Sequence, residues 1–185
     1  RRTPASELRR RRAIRDAMRQ SRTRAYALLV TRPEDVGYLS AFTGEDSWLL
    51  IGRGWACLLT DGRYAEQARS ECRGLDIRVR EGSMSREVLQ VVRARKVRTL
   101  GVQADHLTVR ERDLLAESLG RSRRVAPAAG DIRRLRAVKD PREVIAIRRA
   151  VRAAEGAFLA LLAKGARGWV GRTERDLAAE PNYRM

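Results

Sequence analysis

A chain of 185 residues that is 43% hydrophobic can bury one core of domain size, so a second domain would have to be small or incomplete. The formal net charge of +17 raises the question of nucleic-acid binding, but all except three of the 40 basic residues are arginine and they are spread along the chain, which favours a solvated basic surface. No apolar run approaches the roughly 20 residues that cross a bilayer, which favours a soluble protein with no membrane partner.

The first elements are predicted to be a helix, a buried strand and a short connecting segment. Ser6 is a plausible N-cap for an arginine-rich helix that runs to about Gln20, with a thin apolar face formed by Leu8, Ile14 and Met18. The apolar run at 25–30 predicts a buried strand. Residues 33–42 then suggest a turn or short helix that leads into a loop at 43–46.

The next stretch has the pattern of a β-hairpin. Strands are predicted at 47–51 and 55–60, and Gly52-Arg53-Gly54 connects them, with glycines expected to supply positive φ angles. Asp61-Gly62 turns the chain again. Residues 64–72 have helical composition, with Ala65, Ala68 and Cys72 on one side.

Strands and helices then alternate regularly. Strands are predicted at 75–79, 99–103 and near 124–127, and helices at 85–95 and from Thr108, which has capping-box spacing to Glu111. The second of these helices has the apolar residues Val109, Leu114, Leu115 and Leu119. The alternation predicts an α/β fold with a sheet flanked by helices, and the hairpin makes that sheet mixed.

No further strand is predicted after residue 130. Asp140-Pro141 is a good start for a helix that runs to about Lys164, where Gly165 ends it. Apolar residues recur along this helix with the spacing of an a/d seam, at Val144, Ile147, Val151, Ala154, Phe158 and Leu161. Such a seam needs a partner surface. After a linker at 165–171, Thr173 and Asp176 begin one more helix, which Pro181 is expected to end.

Several polar residues are candidates for catalysis or ligand binding by their type. His106, the one histidine, has no metal-ligand spacing around it and is interpreted as a loop histidine. Glu45 and Asp46 are interpreted as a solvated turn, and Gly52 to Gly54 as a hairpin turn because no helix follows to bind phosphate. Cys57 lies in an apolar strand and is expected to be a buried thiol, and two cysteines are too few for a disulfide framework, which fits a cytoplasmic protein.

Four motifs together resemble a known family. They are YLSAFTG at 38–44, LLTDGRYAEQA at 58–68, IRRLRAVKDPREVIAIRRAV at 132–151 and GRTERDLAAE at 171–180. In this order they resemble the front half of the Xaa-Pro peptidases, aminopeptidase P and prolidase, over nearly the whole chain from about residue 6 to 180. The resemblance implies a creatinase-type N-terminal domain at 1–130. It further implies that 131–185 are a linker and the first helices of an incomplete "pita-bread" catalytic domain, whose missing sheet would cover the seam.

The resemblance also implies where the chemistry lies. Relatives bind two divalent metal ions (Mn, Co or Zn) through two Asp, one His and two Glu of the catalytic domain, and these ions activate a water molecule and stabilise the oxyanion. The one histidine, His106, lies in the segment that resembles the N-terminal domain and not the catalytic domain, so it does not match the family's metal ligand. We therefore expect no catalytic and no metal-binding residue in this chain, and no peptidase activity from it alone. The complete protein would hydrolyse proline-containing peptides.

Relatives are commonly homodimers in which the N-terminal domain walls the partner's active site. By that resemblance Tyr38, Phe42, Asp61, Arg63 and Tyr64 are candidates for an inter-subunit active-site wall. The alternative for Asp61 and Arg63 is an Asp-Gly turn with a local ion pair. Two other functions stay open: a non-catalytic dimerisation module that uses the heptad-spaced helix or the aromatic stretch, and, less favoured, an arginine-rich nucleic-acid binder.

Overall fold

The computed structural model describes residues 5–20, 25–128 and 131–184, and the chain forms two compact units, Arg1–Arg136 and Ala137–Met185. The first unit is built on a six-stranded sheet. Its strands are β1 (Ala27–Val30), β2 (Ser47–Gly52), β3 (Ala56–Thr60), β4 (Asp76–Val79), β5 (Thr99–Gln103) and β6 (Arg124–Ala128). Their order across the sheet is β4-β3-β2-β1-β5-β6. Only β2 runs antiparallel to its neighbours, so the predicted mixed sheet is confirmed.

Helices cover both faces of this sheet. They are α1 (Ala5–Gln20), α2 (Pro33–Ser40), α3 (Ala65–Glu71), α4 (Met84–Ala94), α5 (Val109–Leu119) and α6 (Asp131–Ala137). Leu28 and Val30 pack with α1, α2, α3 and α6 on one face, whereas Ala27 and Leu29 pack with α4 and α5 on the other. Alternate strand residues point to opposite faces, so a strand covered on both sides is apolar throughout, as the run at 25–30 indicated.

The arginine-rich helix α1 packs differently from the prediction. Its buried residues are Glu7, Arg11, Ile14 and Met18, which lie four, three and four positions apart, whereas Leu8 is 48% exposed. The predicted buried face of α1 was therefore wrong to include Leu8, and it did not include Arg11, which is buried. Ser6, predicted as the N-cap, lies inside the described helix, and its hydroxyl donates to Glu7.

The hairpin forms as predicted, but its glycines serve another purpose. Neither Gly52 nor Gly54 has a positive φ angle, so that expectation was wrong. A Cβ atom on Gly52 would lie 2.1 Å from the indole ring of Trp55, whereas one on Gly54 would meet nothing within 4 Å. Gly52 is required because the Trp55 ring lies against the backbone at that position.

The second unit consists of helices α7 (Pro141–Leu162) and α8 (Glu174–Arg184) with turns between them. α7 begins directly after Asp140, and Gly165 has a φ of 61° after its end, as the sequence indicated. Asp140 also caps α7 in a capping box with Glu143, a feature that was not predicted. Pro181 was expected to end the last helix, and this is wrong because α8 continues through it to Arg184. A proline in this position removes one backbone hydrogen bond without ending the helix.

None of the helices in the described parts of the chain is both long enough and apolar enough to cross a membrane.

Candidate functional site

Asp61 and Arg63 form a turn directly after β3 that is held by hydrogen bonds between the two residues. Asp61 caps a short 3₁₀ turn, Gly62–Tyr64, by accepting a hydrogen bond of 2.9 Å from the backbone N–H of Arg63. The Arg63 guanidinium also donates to Asp61 Oδ2 through Nε at 2.9 Å and Nη2 at 2.6 Å. The hydrogen bond from the Arg63 side chain lowers the pKa of Asp61, and Asp61 in turn raises the pKa of Arg63. The turn therefore presents a guanidinium in a fixed orientation.

Two further charges complete this site, and sequence reasoning missed both roles. Arg80 Nη2 lies 2.8 Å from Asp46 Oδ2 and 3.6 Å from Asp61 Oδ2, and Arg63 Nη2 lies 3.6 Å from Asp46 Oδ2. Asp46 was interpreted as part of a solvated turn, yet it bridges the two arginines. Parallel pairing of β3 and β4 would have indicated the role of Arg80. This pairing places Thr60 opposite Val79 and so brings the ends of the two strands, with Asp61 and Arg80, close together.

The two aromatic rings of the site pack edge to face. The Phe42 and Tyr64 centroids are 6.0 Å apart with an interplanar angle of 86°, and the Arg63 guanidinium carbon is 5.6 Å from the Tyr64 centroid. A Cβ atom on Gly44 would lie 2.4 Å from Phe42 and 2.8 Å from Tyr64, so the loop needs glycine there. Phe42 is buried, whereas the Arg63 side chain is 73% exposed. Arg63 and the half-buried Tyr64 are thus the accessible groups.

The loop that carries Phe42 is tied to α3 by a small hydrogen-bond network. Glu71 accepts hydrogen bonds of 2.8 Å from both the backbone N–H and the hydroxyl of Thr43, and Gln67 Nε2 donates to both Thr43 and Glu71. Burial acts to raise the pKa of Glu71, but the hydrogen bonds from Thr43 and Gln67 outweigh it and the pKa is lowered. The charged form of Glu71 therefore holds this loop.

Tyr38, the fifth candidate, lies in a different environment on α2. The Arg10 guanidinium stacks 3.9 Å above its ring, and its hydroxyl donates to the backbone carbonyl of Leu135 at 3.3 Å. The structure thus brings Phe42, Asp61, Arg63 and Tyr64 together and places Tyr38 with α1 and α6.

The remaining chemistry-bearing residues form no metal centre in the described part of the chain. His106 lies in the turn between β5 and α5, as interpreted, with Nδ1 2.9 Å from the Thr31 hydroxyl. Across residues 5–20, 25–128 and 131–184, no three His, Cys, Asp or Glu side chains are close enough together to hold a metal ion. Both cysteines are buried, and burial raises the pKa of each thiol to about 11.

Known proteins resemble this chain over most of its length. The uncharacterized peptidase YqhT of Bacillus subtilis (strain 168) is 27% identical over 135 residues, which is 73% of this chain and 38% of that protein. The Xaa-Pro dipeptidase from Bacillus anthracis superposes with a TM-score of 0.86 at 25% identity, covering 97% of this chain and 48% of the other. The N-terminal domain of the cytoplasmic peptidase PepQ from Mycobacterium tuberculosis H37Rv is 28% identical, with a TM-score of 0.63. That match covers 69% of this chain and 98% of the domain.

These matches identify the family but extend over only part of the relatives. This chain spans 38% of the length of the B. subtilis peptidase and about half of the B. anthracis dipeptidase. The model of the creatinase/prolidase N-terminal domain matches residues 10–138, which include the whole sheet and the candidate site. The chain belongs to the creatinase/prolidase N-terminal domain family.

Proposed function

We propose that this chain is the N-terminal part of an Xaa-Pro metallopeptidase, which in complete form hydrolyses the peptide bond before proline. The observation that supports this most is the match to the Xaa-Pro dipeptidase from B. anthracis, which extends over 97% of this chain but only 48% of that protein. The family match ends at residue 138, so the helices α7 and α8 lie beyond the N-terminal domain. We infer that they open the catalytic domain, and that the protein acts in the cytoplasm on proline-containing peptides.

The metal site would then lie in the remainder of the protein. The described residues contain no group of His, Cys, Asp or Glu side chains that could hold a metal ion, so the donor set within these residues does not fit one. We expect the coding sequence that follows residue 185 to supply two Asp, one His and two Glu as ligands of two divalent ions, Mn, Co or Zn. Sequencing that region tests this directly, and a continuation without these residues would remove the hydrolase proposal.

For the N-terminal unit we propose the role of a wall beside the active site of a partner subunit. Arg63 and Tyr64 are the accessible groups of the candidate site, and Asp61 and Phe42 hold them in place. An exposed guanidinium with a fixed orientation suits hydrogen bonding to a peptide, because little side-chain entropy is left to lose. Tyr38 belongs to the same predicted wall but would act from α2.

A chimera tests the wall. The 185-residue chain would replace the matching half of the B. anthracis dipeptidase. Within this chimera, the variant Arg63→Gln would be compared with Arg69→Gln, a change on the exposed side of α3. We expect Arg63→Gln to raise KM for an Xaa-Pro dipeptide about tenfold, with kcat little changed. Arg69→Gln should leave KM within about twofold. Equal KM values for the two variants would exclude Arg63 from the wall.

The open face of α7 favours a second candidate, a dimerisation module. Ile147, Val151 and Phe158 belong to the predicted seam and are 47%, 47% and 56% exposed. Analytical ultracentrifugation of Phe158→Glu distinguishes this candidate, with Arg149→Glu on the opposite side of the helix as control. Loss of self-association only in Phe158→Glu would support dimerisation through α7, and unchanged self-association would exclude it.

The packing of α1 argues against the nucleic-acid candidate. Arg11 and Arg15 donate to backbone carbonyls of Leu39, Gly52 and Trp55, and Arg10 donates to that of Tyr38. Three arginines of α1 are therefore used within the fold. We expect no binding of a duplex oligonucleotide at near-physiological salt in fluorescence anisotropy, and salt-sensitive binding under those conditions would restore this candidate.

A further inference from the structure

The carboxyl ends of β1 and β5 lie at a topological switch point of the sheet, the place where ligands bind in other open α/β proteins, and we call this place the crevice. The two strands are parallel neighbours, but the helices that follow them lie on opposite faces of the sheet, α2 on one and α5 on the other. The loops therefore diverge, and in open α/β sheets ligands bind at such a divergence.

Buried polar groups line this crevice and are joined by hydrogen bonds. Gln103 Oε1 accepts from the backbone N–H groups of Thr31 at 2.8 Å and Arg32 at 3.0 Å. Gln103 Nε2 donates to Asp35 Oδ2 at 2.7 Å, and both residues are buried. The other carboxylate oxygen of Asp35, Oδ1, does not take part in the hydrogen bond from Gln103.

Helix α6 supplies the partners that close the crevice. Arg136 Nη1 donates to Asp35 Oδ1 at 2.7 Å, and Arg133 Nη2 donates to Asp105 Oδ2, also at 2.7 Å. Asp35 follows β1 and Asp105 follows β5, so α6 spans both loops. Ile132 is buried and Leu135 packs against the same core.

This attachment depends on few contacts. A helix of seven residues is not stable by itself in water, so α6 exists only while it is docked. The ion pair of Arg133 is largely exposed and contributes little, whereas that of Arg136 reaches the buried carboxylate of Asp35. Docking therefore rests mainly on Arg136, Ile132 and Leu135, together with the hydrogen bond that the Tyr38 hydroxyl donates to the Leu135 carbonyl.

We propose that α6 is a latch that can leave the crevice while the rest of the first unit stays folded. When docked, it ends the first unit at Arg136, next to the boundary with the second. When released, its seven residues lengthen the connection between the units by up to roughly 23 Å, at about 3.3 Å per extended residue. The latch thereby decides whether these seven residues belong to the folded first unit or to the connection that follows it.

Hydrogen–deuterium exchange of the whole chain tests the latch. The amides of Leu135, Arg136 and Ala137 donate the i to i−4 hydrogen bonds of α6, so they report its docking. We expect Arg136→Gln to speed their exchange at least tenfold, and Arg133→Gln to have a smaller effect. Arg134→Gln, an exposed change on the same helix, should stay within about threefold of the unmodified chain. Amides of β1 and β5 should keep their protection in all three variants.

Two results would overturn the latch. If Arg136→Gln and Arg134→Gln exchange alike, Arg136 does not hold α6. If amides of α6 and of β1 lose protection together, α6 unfolds only with the core and cannot act separately.

Discussion

Some arginines of this protein are buried and hydrogen-bond to the backbone, whereas others are exposed to solvent, and two neighbours in the sequence can differ in this way. Arg11 is 1% exposed and donates to the Leu39 carbonyl at the end of α2, whereas Arg12 beside it is exposed. Burial lowers the pKa of Arg11, with the neighbouring charge of Arg15 acting in the same direction. The cation is nevertheless retained because it satisfies a carbonyl that the helix cannot.

A comparison of these two neighbours tests the structural role. Arg11→Ala should lower the free energy of unfolding by about 2–3 kcal/mol, because it leaves a cavity and a carbonyl without its charged donor. Arg12→Ala should change it by less than about 0.5 kcal/mol. Urea denaturation measures both. Similar losses for the two variants would contradict the packing of α1.

Asp61 offers a residue-level test of the candidate site. Its pKa is lowered by Arg63, so the carboxylate stabilises the fold above the ordinary pKa of 3.8, and this contribution is lost as the pH falls through the lowered value. Arg63→Gln should return the pKa of Asp61 towards 3.8, measured by carboxyl carbon NMR, while Arg69→Gln should leave it low. An unchanged pKa in Arg63→Gln would mean that the pair does not form in solution.

At the scale of elements, the hairpin of β2 and β3 shows how one side chain can determine a turn. The Trp55 ring lies where a Cβ atom of residue 52 would be, so Gly52 fits for reasons of space. The turn-type rule explains a glycine in a hairpin connection by a positive φ angle. At Gly52 the reason is instead the space that the Trp55 ring occupies.

Two glycine variants separate these causes. Gly52→Ala should lower the free energy of unfolding by about 1–3 kcal/mol, because Trp55 must move. Gly54→Ala should be near neutral, since nothing lies within 4 Å of its added Cβ and its φ is not positive. Thermal unfolding followed by circular dichroism measures both. A larger loss for Gly54→Ala would show that turn conformation matters more than space.

Local patterns in the sequence predicted most elements, because strand and helix periodicity depends on near neighbours. The strands, the hairpin, the capping box of α5 and the start of α7 at Asp140-Pro141 all follow from such patterns. What could not be predicted depends on residues far apart in the chain. Arg11 is buried because α2 offers a carbonyl 28 residues away, and Arg80 joins Asp46 only through the pairing of β3 with β4.

At the scale of the whole molecule, the chain is a family domain with additional helices. The first unit holds the sheet, both cores and the candidate site, and the second holds α7 with its apolar face. The proposed function assigns the shaping of an active site to the first unit and the hydrolysis to a part of the protein outside these residues.

Proline release from an Xaa-Pro dipeptide in the presence of manganese tests that division most directly. The 185-residue chain should release none, and the chimera that joins it to the catalytic half of the B. anthracis dipeptidase should release proline. Circular dichroism would confirm that both proteins are folded. Hydrolysis by the 185-residue chain alone, or a folded chimera without activity, would contradict the proposed function.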